Sequence, residues 1–240
     1  MACSEQLPPA RPLWPIAIRP ESITTTEPET IITVRNSPEP WHPLNYTITD
    51  QNGATLYTVH GHPWGLAQRR VFRDASGLPL FELRSRWYDA SFVELKLPGA
   101  TSASKCLLSG KCRVAVQAPR AVLRFRNACM QGMVHTYQDK HKKTHPRTSI
   151  RTLNVDDETV MEIFALDVDN HIQVAVVNDQ RIAFIERVTD PAVLAQGQKP
   201  PFRFRPVWRV RIAKGVDLAL IAVAVVILGQ QGPGIGLAHQ

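Results

Sequence analysis

The chain has 240 residues, 44% hydrophobic and 20% charged, which suits one large globular domain or two small ones and excludes a chain too polar to bury a core. Its net charge of +7 favours anionic partners, a membrane surface or nucleic acid, and leaves the fold open. The cysteines Cys3, Cys106, Cys112 and Cys129 form no CxxC pair, and "MACSEQLPPARPLW" lacks an apolar signal core; this reads as an intracellular protein with reduced thiols, neither secreted nor transmembrane, in which the sequon Asn45-Tyr46-Thr47 is silent.

Nine of the nineteen prolines fall in the first 43 residues, and residues 1–30 read as a Pro-rich tail or wrapping arm. Strand patterns follow. "LNYTITDQNGATLYTVHG" is two alternating runs turning at Asp50-Gln51-Asn52-Gly53, where Asn-Gly supplies the positive φ of a hairpin. "RRVFRDASGLPLFELRSRW" repeats the design at Asp74-Ala75-Ser76-Gly77. "IRTLNVDDETVMEIFAL" is expected to turn at Asp156-Asp157-Glu158, and "HIQVAVVNDQRIAFIERV" at Asn178-Asp179-Gln180. "SFVELKL", "CRVAVQ", "AVLRFRN" and "MVHTYQ" add further runs. About a dozen strands with short links predict a sandwich or barrel, not βαβ units.

In "FRFRPVWRVRI", Phe202, Phe204, Trp208, Val210 and Ile212 share one parity and Arg203, Arg205, Arg209 and Arg211 the other. A period of two sends the aromatics to a core and the arginines outside. Pro206 removes a ladder donor and predicts a bend or an edge.

Leu218 to Leu228 is an unbroken run of eleven apolar residues. A bilayer-spanning helix needs about 20, and Lys214, Asp217 and Gly229-Gln230-Gln231 prevent extension, so a single-pass anchor is disfavoured. The β-branched Ile221, Val223, Val225, Val226 and Ile227 favour a strand. Ala219, Ala222 and Ala224 favour a helix, with Asp217 in the first turn and Gly229 as the stop. A helix apolar on every side must be surrounded, and a barrel wider than about eight strands must be plugged. About a dozen strands around a core helix marked by Leu218, Ala222 and Val226 meet both needs.

Three stretches then carry a resemblance, in order along the chain: "YTITDQNGATLYTVHG", "RRVFRDASGLPLFEL" and "GVDLALIAVAVVIL". They resemble the D-x-N-G hairpin, the D-A-S-G-x-P-L turn and the closing G-V-D-x-A segment of the LURP-one-related proteins. These are relatives of the tubby C-terminal domain and, more distantly, of phospholipid scramblases. The resemblance implies an all-β fold: a twelve-stranded antiparallel barrel around a hydrophobic C-terminal helix, here over 31–229, with a Gly-rich tail at 230–240. Gly229-Gln230-Gln231 stands where family members often carry an acidic pair.

No catalytic set can be assembled. "LLSGKC" lacks the first glycine of a phosphate loop, and there is no G-x-S-x-G, H-E-x-x-H or dinucleotide fingerprint. His60-Gly61-His62 reads as a polar strand end. Cys129, His135, His141 and His145 lack the second cysteine of a zinc finger, and Asp167-Val168-Asp169-Asn170 reads as a turn. Neither enzyme activity nor a cofactor or metal is expected.

Two basic features remain. One is the face of Arg203, Arg205, Arg209 and Arg211, flanked by Lys199 and Lys214; the other is "DKHKKTHPRTSIR", with Lys140, Lys142, Lys143 and Arg147. The plain reading is a solvated strand face and a charged loop. The functional reading is a patch for acidic lipid headgroups, in which each basic residue contributes about 1 kcal/mol. Tubby-type domains bind phosphatidylinositol bisphosphate, but Thr58 and His60 stand where they carry a Lys and an Arg, so their lipid site is not reproduced. Nucleic acid ranks below a membrane, because the aromatics beside the arginines have the buried parity. The sequence thus predicts a non-enzymatic binding domain for phosphoinositide-bearing membranes, with a protein-interaction scaffold and a scramblase-like protein as alternatives.

Overall fold

A computed structural model of the chain describes residues 9, 11–12, 14–19, 21, 29–37, 44–62, 69–86, 89–101, 104–112, 120–130, 134–137, 149–152, 158–195 and 206–229. The strands are β1 (Glu29–Asn36), β2 (Tyr46–Asp50), β3 (Thr55–His62), β4 (Arg69–Asp74), β5 (Pro79–Arg86), β6 (Asp89–Lys96) and β7 (Leu108–Cys112). There follow β8 (Ala121–Phe125), β9 (Val134–Tyr137), β10 (Ser149–Thr152), β11 (Thr159–Ala165), β12 (Ile172–Val177), β13 (Gln180–Arg187) and β14 (Val207–Ala213). The helices are the short α1 (Pro191–Ala195) and α2 (Leu218–Gly229).

Twelve of these strands close into one antiparallel barrel, in the order β1-β14-β13-β12-β11-β8-β7-β6-β5-β4-β3-β2. The expected turns form because their residues accept the required backbone. Gly53 and Gly77 take φ of 82° and 87°. Asn178 and Asp179 take 49° and 61° between the paired Val177 and Gln180, the two-residue hairpin whose twist matches its strands. Asn170 likewise has φ 56° in the Asp167–Asn170 turn. β1 and β7 are strands the sequence pattern did not single out.

One expected hairpin is corrected. β10 does not pair with β11 across Asp156-Asp157-Glu158; it pairs with β9, Ser149 opposite Tyr137, as a two-stranded sheet outside the barrel. β11 has both edges occupied, by β8 and β12, as barrel closure requires. Residues 153–157, and "CRVAVQ" beyond Cys112, lie outside the described residues.

The helix is the centre of the core. Ala219 to Leu228 are all buried, Ala222 and Val226 fully, and Leu218 packs partly buried at the start. The same apolar cluster takes inward residues from all twelve barrel strands, such as Ile32, Ile48, Val59, Phe72, Leu83, Leu95, Leu123, Ile163 and Val210. Twelve residues at about 1.5 Å each give α2 a length of about 18 Å. Each fully buried Leu, Ile or Val contributes about 1.5–3 kcal/mol, which is why an apolar segment too short for a bilayer is stable here. Among the described residues no helix is long and apolar enough to cross a membrane.

The segment "GVD" places this helix residue by residue. Gly215, at φ 84°, turns the chain back from β14 into the barrel. Val216 is fully buried and bridges to Ile16 in parallel. The Asp217 side chain then accepts from the backbone N–H groups of Ala219 (2.8 Å) and Leu220 (3.4 Å), an N-cap for α2. Part of the Pro-rich N-terminal stretch is built in at this end: Ile16, Ala17 and Ile18 are buried.

Candidate anion-binding face

Because α2 fills the barrel, any ligand of this domain must meet its outside or its ends. The outward side of β14 follows from its alternation: Trp208, Val210 and Ile212 are buried, Arg209 is exposed and Arg211 half-buried. The register sets Arg209 between Thr33 of β1 and Glu186 of β13, and Arg211 between Ile31 and Phe184.

The two arginines differ in what holds them. Arg211 pairs with Glu29, donating from Nε to one carboxylate oxygen and from Nη2 to the other at 3.3 Å. Its guanidinium carbon lies 5.9 Å from the centroid of the Phe184 ring. The bond to Glu29 raises its pKa above the usual arginine value, so it is a fixed cation with a fixed counter-charge. Arg209 keeps its guanidinium exposed, with Glu186 across the strand pair. Lys199, Arg203, Arg205, Lys140, Lys142 and Lys143 lie outside the described residues, as do Phe202 and Phe204. By position, the three lysines fall between β9 and β10, and Lys199, Arg203 and Arg205 between α1 and β14. The structure therefore sets Arg209 and Arg211 on one face.

Arg69 and Arg84 are committed elsewhere. Both grip the buried Glu82 carboxylate, which also accepts from the Gly99 N–H at 3.2 Å. This network pins the loop after β6 against the barrel wall. A groove of about 270 Å³ outside β11 and β12 is lined by Val160, Glu162, Val176, Asn178 and Asp179, acidic groups that would repel an anion.

Two thiols among the described residues, Cys106 and Cys112, are not activated. Cys112 is buried, which pushes its thiol to about 12, and burial also raises Cys106, whose Sγ donates to the carbonyls of Leu95 (3.2 Å) and Leu108 (2.7 Å). Neither has the lowered pKa of a nucleophile. Among the described residues no three His, Cys, Asp or Glu side chains gather as metal ligands. Sequence reasoning missed Glu29 as the partner of Arg211. The two are 182 residues apart, and only the closing pair β1–β14 joins them.

Comparison with known proteins agrees with this architecture. No curated protein matches the chain. An X-ray structure of a protein from Arabidopsis thaliana is similar in fold, with a TM-score of 0.54 and 19% identity over 89% of this chain and 96% of that one. The sequence model of the LURP-one-related proteins matches residues 30–229. With that match spanning the barrel and its helix, the chain belongs to the LURP-one-related family.

Proposed function

We propose that this chain is a non-enzymatic binding domain whose outer surface docks on acidic, phosphoinositide-bearing membranes. The observation that carries the reading is α2 itself: it occupies the barrel interior, leaving the exterior and the ends to bind. The net charge of +7 and the exposed Arg209 select an anionic partner. Lys199, Arg203 and Arg205 extend that face in the proposal, and Lys140, Lys142 and Lys143 supply a second contact. Arg211 supports the face without contributing free charge, because Glu29 neutralises it.

Co-sedimentation with neutral vesicles and with vesicles containing phosphatidylinositol bisphosphate tests this. Binding to the second alone is expected. Arg209→Gln should weaken it by about 1 kcal/mol, roughly fivefold, and added Lys199, Arg203 and Arg205→Gln changes should abolish it. Arg211→Gln should change it less. A second reading, a protein-interaction scaffold without a lipid ligand, is favoured by the acids Glu29 and Glu186 beside the two described arginines. Equal, negligible sedimentation with both vesicles would select that reading.

A further inference from the structure

We infer that residues Pro15–Arg19 form a latch that retains α2, and that this strap and the first turn of α2 open together while the barrel stays closed. α2 is tied to β14 through Lys214–Asp217, so it can leave the barrel without breaking the wall only through the end at which it enters. The strap lies across that end.

Two side chains hold it. Asn127, just beyond β8, accepts from the Ala17 N–H at 3.1 Å and donates from Nδ2 to the Pro15 carbonyl at 2.9 Å. On the other side, Asp217 Oδ2 accepts from the N–H groups of Ile18 (3.1 Å) and Arg19 (3.3 Å). Backbone bonds complete the seat: Ile16 N–H to the Gly215 carbonyl at 2.9 Å, Asp217 N–H to the Ile16 carbonyl at 2.8 Å and Ala128 N–H to the Ala17 carbonyl at 2.8 Å. The apolar footing is Ile16, Ala17 and Ile18, all buried.

The strap and the helix share Asp217. Its Oδ2 serves strap amides, its Oδ1 serves the helix amides of Ala219 and Leu220, and Val216 beside it bridges to Ile16. Displacing the strap therefore removes two of the four N–H donors that fix this carboxylate, and unseats the helix cap with it. The barrel strands are held differently. Each is laddered on both sides, whereas the strap makes a single isolated bridge. Elements with fewer backbone ties open at lower free energy than the units they cover.

Hydrogen exchange on the full chain tests the latch. Asn127→Ala should speed exchange of the Ile18, Arg19, Leu220 and Ile221 amides together, by about tenfold for the lost strap bonds. The amides of Leu95, Leu123 and Ile163 should keep their rates. Ile16→Ala, which weakens the apolar footing instead, should give the same pattern. Faster exchange in the strap alone would show that it does not retain the helix, and uniform acceleration across the barrel would show that no local opening exists. Failure of both variants to fold would place the strap in the global folding unit, and would overturn the inference as well.

Discussion

Asp217 sits fully buried at the start of α2, with four backbone N–H groups directed at its two oxygens. Burial raises its pKa to about 6 from the ordinary 3.8, against the lowering effect of those donors. The native state therefore holds a proton between about pH 4 and 6 that the unfolded chain has released. Stability from this group is fully present below pH 4 and is lost as pH rises through 6, on the order of 3 kcal/mol in all. Asp217→Ala removes both the cap and the slope. At pH 7 it should cost about 1–2 kcal/mol, as the loss of a helix cap does, and the cost should grow on acidification towards pH 4. Urea titrations of both proteins at pH 4.5 and 7 measure this; a cost that shrinks in acid would mean that the carboxylate stays charged. The sequence set Asp217 in the first turn of α2; it stands one residue earlier, as the N-cap, and that much was legible because the relation is local. Its bond to Ile18, 199 residues away, follows from no period or spacing and exists only once the barrel closes.

At the scale of elements, what was legible was what the chain makes locally. Asp50 and Asp74 each accept N–H bonds two and four residues on, so the turns at Gly53 and Gly77 are written in a few consecutive residues. The pairing of β9 with β10 was not, because strand patterns in both segments fit more than one neighbour and only the occupied edges of β11 decide. The proposed face was half legible: parity sent Arg209 and Arg211 outwards, but gave no sign that Glu29 would meet one of them. For α2, all-round apolarity required an enclosing sheet, and the barrel supplies it. Ala222→Asp or Val226→Asp would leave a carboxylate without a partner among apolar side chains, a cost comparable with the whole stability of a domain. Both variants should lose native circular dichroism and aggregate on size exclusion. Leu97→Asp, at a residue 52% exposed, should stay folded; equal tolerance of all three would remove α2 from the core.

For the molecule as a whole, the barrel interior has two ends, and each carries a buried charge. Asp217 lies at the N-terminal, positive end of α2. Arg70, only 1% exposed, shares the inward parity of Phe72 on β4 and stands opposite Gly61 and Leu83. Tyr46 acts on its charge, and a methyl group on Gly229 would lie 3.0 Å from Tyr46 Oη, so Arg70 is at the C-terminal, negative end of the helix. Burial lowers its pKa to about 10, which leaves it a cation at neutral pH. An anion at one end and a cation at the other match the helix dipole in the direction in which α2 is inserted, and oppose the reverse direction. Arg70→Glu would set a buried anion against the helix carbonyls and should cost at least about 3 kcal/mol, enough to be seen as a large fall in melting temperature or as failure to fold. Arg70→Met keeps the length and removes the charge; buried charges replaced by apolar groups of similar size are often close to neutral, so it should cost much less. Thermal melts of the two variants side by side separate sign from shape. If Met proved as damaging as Glu, the role of Arg70 would lie in its hydrogen bonds, and the match of charge to helix direction would be incidental to the fold.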